Sequence, residues 1–245
     1  MHTSTTPDPG GYTRTRAWLQ EYFDRHAAKQ WETLTSNTPV GRIRATVRAG
    51  RAQMQRTLLS WLPTNLSGAR VLDAGCGTGA VAVELARRGA EVIAIDLSPT
   101  LIGVARQRAA ESSLRGRVDF RSGDMTDPSL GTFDHVLAMD SLIHYERDAA
   151  LAALARLAPR VSTSIVWTFA PWTPLLGAMH AVGRVLPGRD RAPRIVPVRE
   201  AAVRDGLRTH PAFTGWTVGA THRVSGGFYT SQALQLSVPS PRRLS

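Results

Sequence analysis

Four acidic residues stand where an apolar run gives way to a polar loop: Asp73, Asp96, Asp124 and Asp140. The first opens Asp73-Ala74-Gly75-Cys76-Gly77-Thr78-Gly79, an acid followed by glycines at every second position. Gly75, Gly77 and Gly79 carry no β-carbon, so this loop can turn tightly and lay its backbone against a ligand. Asp96 closes the run Glu91-Val92-Ile93-Ala94-Ile95, and a carboxylate there can accept hydrogen bonds from both hydroxyls of a ribose. Asp124-Met125 follows Val118-Asp119-Phe120-Arg121, and Asp140 opens Asp140-Ser141-Leu142-Ile143-His144-Tyr145. His144 and, far upstream, Tyr22 are the polar candidates for contact with a reacting group. Neither a Ser/His/Asp relay nor a metal-ligand cluster is evident, so the expected chemistry uses no resident metal. The glycine loop alone leaves its ligand open, because Gly75-x-Gly77-x-x-Ala80 also fits the loose G-x-G-x-x-G/A pattern of dinucleotide sites.

In open α/β sheets the ligand sits at the carboxyl ends of the strands, and the segments around these acids alternate as such a sheet requires. Strands are predicted over 70–72, 91–96, 118–121, 133–139 and 164–169. Helices are predicted from Ala80 to Arg88 with Gly89 as the C-cap, and from Thr100 to Glu111 behind Ser98 and Pro99. Two more are expected over 147–157 and 199–209. The runs 215–224 and 227–236, joined at Ser225-Gly226, read as an antiparallel hairpin. Upstream, Tyr12 to Leu62 holds two helical patterns. The second puts Arg44, Arg48 and Arg51 on one face, either a solvated face or an anion site. The chain therefore divides into a Thr/Pro/Gly-rich tail (1–11, expected disordered), a helical cap (12–62), a ligand-binding domain (63–237) and a short tail (238–245). Within the domain an insertion at 171–197 carries Trp172, Leu175, Leu176 and Met179 with arginines downstream.

A length of 245 residues allows one substantial α/β core. Thirty basic residues against 19 acidic ones give a net charge of +11, and Lys29 is the sole lysine. An arginine-weighted surface suits anionic partners, though it equally serves plain solubility. The single cysteine, Cys76, excludes an intrachain disulfide and points to the cytoplasm, and the polar N-terminus shows no secretory signal. Val161 to Gly183 lacks charge, but Pro171, Pro174 and several Ser and Thr residues argue against a membrane span.

The acid two residues before Gly75 favours one ligand over the other. D-x-G-x-G-x-G resembles motif I of the class I S-adenosylmethionine-dependent methyltransferases. That resemblance implies a Rossmann-like doubly wound sheet with an antiparallel C-terminal hairpin. It also implies S-adenosyl-L-methionine as cofactor, with Asp73, Gly75, Gly77 and Gly79 around its amino acid end. Asp96 and Leu97 would lie at the ribose, Asp124 at the adenine amino group, the Met125 amide on a ring nitrogen, and Asp140 after the fourth strand. Base-methylating members carry an Asn/Asp-Pro-Pro-Tyr-like loop where this chain has Asp140 to Tyr145, so no nucleic acid substrate is expected.

More of the chain resembles a narrower family. Tyr22-Phe23-Asp24 with Trp31, Val47-Arg48-Ala49-Gly50-Arg51, Val71 to Gly79, Met139 to Tyr145 and Phe169-Ala170-Pro171 are similar to the magnesium-protoporphyrin IX O-methyltransferases of bacteriochlorophyll synthesis. The resemblance implies methylation of one propionate of magnesium protoporphyrin IX, with magnesium present only as part of the porphyrin substrate. His144 would orient the carboxylate or contact the porphyrin's magnesium, and Tyr22 would close over the site. A magnesium chelatase subunit and a peripheral contact with the photosynthetic membrane are the partners it suggests for a cytoplasmic enzyme. Two other readings stay open on the residues alone. One is a methyltransferase for another small carboxylate or phenol; the other is a non-catalytic cofactor- or RNA-binding subunit.

Overall fold

The computed structural model describes residues 9–22, 41–174 and 195–239. Two helices, α1 (Pro9–Tyr22) and α2 (Arg42–Ser60), precede an alternating βα series. That series runs β1 (Arg70–Ala74), α3 (Ala80–Arg87), β2 (Glu91–Asp96), α4 (Pro99–Ala110), β3 (Arg117–Ser122), β4 (Phe133–Ala138), α5 (Arg147–Leu157) and β5 (Val161–Phe169). The helix α6 (Glu200–Thr209) and the hairpin β6 (Thr217–Gly226) and β7 (Tyr229–Ser237) follow. The seven strands form one sheet in the order β3-β2-β1-β4-β5-β7-β6, in which β7 runs antiparallel to both neighbours. Strand order reverses between β1 and β4, which pair in parallel with Leu72 opposite Val136. A crevice opens at the carboxyl ends of strands at such a reversal.

Both faces of the central strands are buried, which explains their nearly continuous apolar sequences. Leu72, Ala74, Ile93, Ile95, Val136 and Ala138 belong to the core under α1, α5 and α6. Their alternates Val71, Val92, Ala94 and Leu137 join the core under α2, α3 and α4. Asp73 shares the parity of Val71, so it points beneath α3 and not along the strand axis into the crevice. Residues of wholly buried size such as Leu72, Leu85 and Leu137 contribute roughly 1.5–3 kcal/mol each on leaving water.

Ser98 caps α4 as expected, its Oγ accepting from the Leu101 N–H at 3.3 Å. Three local expectations are corrected. Helix α1 starts at Pro9, inside the segment read as a disordered tail, because Tyr12 is buried and anchors the first turns. Strand β5 starts at Val161, since Phe133 pairs with Val161 across a bulge. The hairpin turns at Gly227-Phe228, not at Ser225-Gly226, because Ser225 and Gly226 still pair with Thr230 and Tyr229. Of the insertion, only 171–174 and 195–197 are among the described residues, so Leu175, Leu176 and Met179 lie outside them. Its two ends are tied together and to the β4 loop. The Trp172 N–H donates to the Val198 carbonyl, the Val198 N–H to Ala170, and the Val196 N–H to Ile143, each at 2.8 Å. Among the described residues no helix is long and apolar enough to cross a membrane.

Candidate functional site

An open cleft lies at the strand reversal, where ligands of open α/β sheets bind. Of the residues singled out in the sequence, Gly75, Gly77, Asp96, Leu97, Met125, Asp140 and His144 line it together. They come from the carboxyl end of β2 and the loops after β1, β2, β3 and β4, so four separate segments converge on one space.

The glycine loop is shaped by packing as well as by turning. Gly75 has φ +84, and a Cβ there would lie 2.3 Å from the Ser141 Cβ, so the first loop can meet the β4 loop only with glycine. Gly79 does not reach the cleft; it sits at the start of α3 behind the loop, against Phe120 and Ala105. Asp96 ties the loop down. Its Oδ2 accepts from the Gly77 N–H at 2.8 Å and its Oδ1 from the Ser98 N–H at 3.0 Å. Both backbone bonds fix the carboxylate at the end of β2, facing the cleft that it lines.

Asp73 is 1% exposed and absent from the cleft wall. It accepts from the Ala82 N–H in the first turn of α3, while its Oδ2 has no hydrogen-bond partner. Burial, then the nearby Asp96 charge, push its pKa up to about 7 against that one opposing bond. Burial likewise raises the Cys76 thiol, so the lone cysteine is not poised as a nucleophile.

Asp124, expected at the base pocket, is not itself among the residues that line the cleft, although Gly123 and Met125 on either side are. Its carboxylate is taken up by the chain itself: the Tyr12 hydroxyl donates at 2.7 Å, Thr126 donates through its N–H at 2.8 Å and its hydroxyl at 2.9 Å, and Arg16 pairs with the other oxygen. Burial alone would raise this carboxyl, but the bonds from Thr126, Tyr12 and Arg16 together hold it below its ordinary value. Asp124 is thus the anchor of α1, while its neighbours reach the cleft. Tyr12 stacks on Tyr145 with centroids 5.1 Å apart, and Leu19 of the same helix joins the cleft wall. Tyr22, at the far end of α1, stacks on Trp18 and does not line the cleft.

Asp140 touches the cleft while spending its carboxylate elsewhere. Arg51 of α2 donates at 2.7 Å, and Ser231 and Tyr229 of β7 and Thr168 of β5 donate at 3.0 to 3.2 Å. Arg51 itself lines the cleft, so one arginine of the predicted stripe does face the site. Ser141 and Tyr145, neither singled out from sequence, line it too. The Ser141 hydroxyl is buried with no hydrogen-bond partner.

These residues fit a sulfonium nucleoside with an amino acid tail. Asp96 offers a fixed carboxylate to a diol; Ile95, Leu97, Leu101 and Met125 offer apolar walls to a flat base. The orphaned Asp73 oxygen puts negative charge beneath the loop that would carry a cationic tail.

Comparison with known proteins bears on the same surface. The family model described as "Magnesium-protoporphyrin IX methyltransferase C-terminus" matches residues 138–238, and a general methyltransferase domain model matches 71–162. The magnesium-protoporphyrin O-methyltransferase of Rhodobacter capsulatus is 44% identical over 228 residues, covering 93% of this chain and 98% of the relative. Among solved structures, magnesium protoporphyrin IX methyltransferase from Synechocystis PCC 6803 with bound SAH matches with a TM-score of 0.79 at 29% identity, covering 91% of this chain and 100% of that one. The same enzyme with bound SAM matches with a TM-score of 0.77 at 26% identity, covering 97% and 100%.

Proposed function

Because the chain belongs to the magnesium-protoporphyrin O-methyltransferase family, we propose that it esterifies one propionate of magnesium protoporphyrin IX with the methyl group of S-adenosyl-L-methionine. The observation that carries this reading is identity of 44% over nearly the whole of both chains, far beyond the general methyltransferase-domain match at 71–162. A place in bacteriochlorophyll synthesis accords with the similarity to the Rhodobacter capsulatus enzyme.

The sulfonium supplies an activated methyl group, and what the chain must supply is placement. A propionate has a pKa of about 4.3, so at neutral pH it is already the nucleophile and no proton has to be removed. Oxygen attacks the methyl carbon, the carbon–sulfur bond breaks, and the ester and a neutral sulfide result. Both reacting charges vanish, so an enclosure that excludes water favours the transition state. Leu19, Met125, Met139 and Tyr145 provide apolar walls for it. Holding the reacting atoms in line is worth on the order of 7–11 kcal/mol when the geometry is right.

His144 lines the cleft just past β4 and serves in this reading to orient the acceptor carboxylate. Tyr22, three residues beyond Leu19 on α1, serves in this reading to close over the bound acceptor. Incubation of the purified protein with S-adenosyl-L-methionine and magnesium protoporphyrin IX should yield the monomethyl ester, followed by chromatography, and mixing without the methyl donor should shift the Soret band. His144→Ala should keep measurable turnover and lose about ten- to a hundredfold in single-turnover rate, the worth of one or two hydrogen bonds. Complete inactivity with normal porphyrin binding would show that His144 has a chemical role beyond orienting the carboxylate. Absence of any ester with the wild-type chain would overturn the functional reading itself.

A further inference from the structure

Asp140 is the one non-glycine among the described residues with a left-handed backbone, at φ 53. Aspartate tolerates that conformation better than most residues but does not favour it, so the surroundings must hold it there. They do so from three elements. Thr168 of β5 accepts from the Asp140 N–H at 2.7 Å and returns its own hydroxyl proton to Oδ1. Ser231 donates to Oδ1 at 3.0 Å, Arg51 to Oδ2 at 2.7 Å, and the Tyr229 hydroxyl bridges both oxygens at 3.2 and 3.0 Å. The turn so fixed presses Ser141 against Gly75 and sends the chain on to His144 at the cleft wall.

Tyr229 is the member of this group that also grips the cap. Its ring lies so close to α2 that a Cβ on Gly50 would fall 2.4 Å from Cδ1. Gly227 and the Phe228 N–H, the two residues before it, rest on Thr46 one turn earlier in the same helix. Burial and the adjacent Asp140 charge raise the Tyr229 pKa, so its hydroxyl keeps its proton and remains a donor. A single side chain therefore contacts α2, which brings Arg51 to the cleft, and the carboxylate that sets the loop bearing His144.

We propose that Tyr229 is a positioning residue for methyl transfer, acting through Asp140 to hold Arg51 and the 140–145 loop in mutual register across the cleft. The kinetic test rests on the function proposed above, whereas the exchange test does not. In the full-length chain, Tyr229→Phe keeps the ring against Gly50 and removes only the hydroxyl. The expected result is a kcat for magnesium protoporphyrin methylation lowered about tenfold, with the thermal midpoint within a few degrees of wild type. Arg51→Lys should also lower kcat, and combining it with Tyr229→Phe should cost little more than the worse single change. Amide exchange by mass spectrometry should speed up about tenfold in the peptide spanning 138–146 and nowhere else in the sheet. Should Tyr229→Phe fold poorly, Ser231→Ala takes its place, since it removes another donor from the same carboxylate without touching α2. Unchanged exchange over 138–146 in the folded variant overturns the proposal whether or not the wild type methylates a porphyrin. Additive losses for Tyr229→Phe and Arg51→Lys overturn it as well. A wild type that yields no ester while the exchange change appears defeats only the functional reading.

Discussion

Asp96→Ala should weaken S-adenosylhomocysteine binding by one to several orders of magnitude while the chain remains folded. The expectation follows from where the carboxylate is held. Backbone N–H groups of Gly77 and Ser98 fix its two oxygens at 2.8 and 3.0 Å, at the end of β2, on the wall of the cleft. A diol presented there gains charge-assisted bonds worth about 1.5–3 kcal/mol each, and it gains them from an acceptor that is already aimed. The alanine removes these and also releases Gly77, so the glycine loop loses its tie to β2. Asp96→Asn separates the two effects. An amide keeps the shape and an acceptor oxygen but cannot accept at both ends, so its loss should be intermediate. Titration calorimetry with S-adenosylhomocysteine measures all three proteins, and the thermal midpoint without ligand reports the fold. Affinity unchanged in a folded Asp96→Ala chain would remove Asp96 from the ribose.

Much of this site was legible because parallel strands buried on both faces declare themselves. Val71-Leu72 and Val92 to Ile95 read as strands, and the residues after them had to lie at one end of one sheet. That reasoning brought Gly75, Gly77, Asp96, Leu97, Met125, Asp140 and His144 to a common cleft without any knowledge of side-chain partners. It did not reveal the acids' partners that come from afar. Asp124, assigned to a ligand, also accepts from Tyr12 and Arg16, more than a hundred positions upstream. Nothing in the local sequence distinguishes an aspartate that waits for a ligand from one that anchors a helix. Asp140 is similar, since Tyr229 and Ser231 reach it across the antiparallel end of the sheet, and an alternating strand pattern gives no hint of a shared carboxylate. Arg51 was visible only as one of three arginines on a helix face, and its selection depends on Gly50 letting α2 settle against Tyr229. The start of α1 shows the same limit, because Pro9 to Gly11 is ordered by the burial of Tyr12 and not by its own composition.

Asp73→Asn should stabilise the ligand-free protein above pH 7 and weaken its hold on S-adenosyl-L-methionine. Asp73 is 1% exposed, one of its oxygens has no hydrogen-bond partner, and burial with the neighbouring Asp96 charge lifts its pKa to about 7. In the unfolded chain the same carboxyl titrates at about 3.9. Between those values the folded protein binds a proton that the unfolded chain does not, so stability falls as pH rises from about 4 to about 7 and is level beyond. Three units of difference set an upper bound of about 4 kcal/mol on the penalty carried at pH 8. Asparagine cannot ionise, keeps an acceptor for the Ala82 N–H, and is nearly the same size. The variant and wild type should therefore unfold alike in denaturant at pH 4 and diverge steadily above it, the variant being the more stable at pH 8. Ligand binding should move the opposite way. An ionised Asp73 beneath the glycine loop attracts a cationic amino acid tail, so wild-type affinity for S-adenosyl-L-methionine should rise from pH 6 to 8, while that of the variant should stay flat over the same range. Equal denaturation midpoints for the two proteins at pH 8 would mean that Asp73 carries no unfavourable charge in the folded chain, and the glycine loop would then owe its affinity to shape and to Asp96 alone.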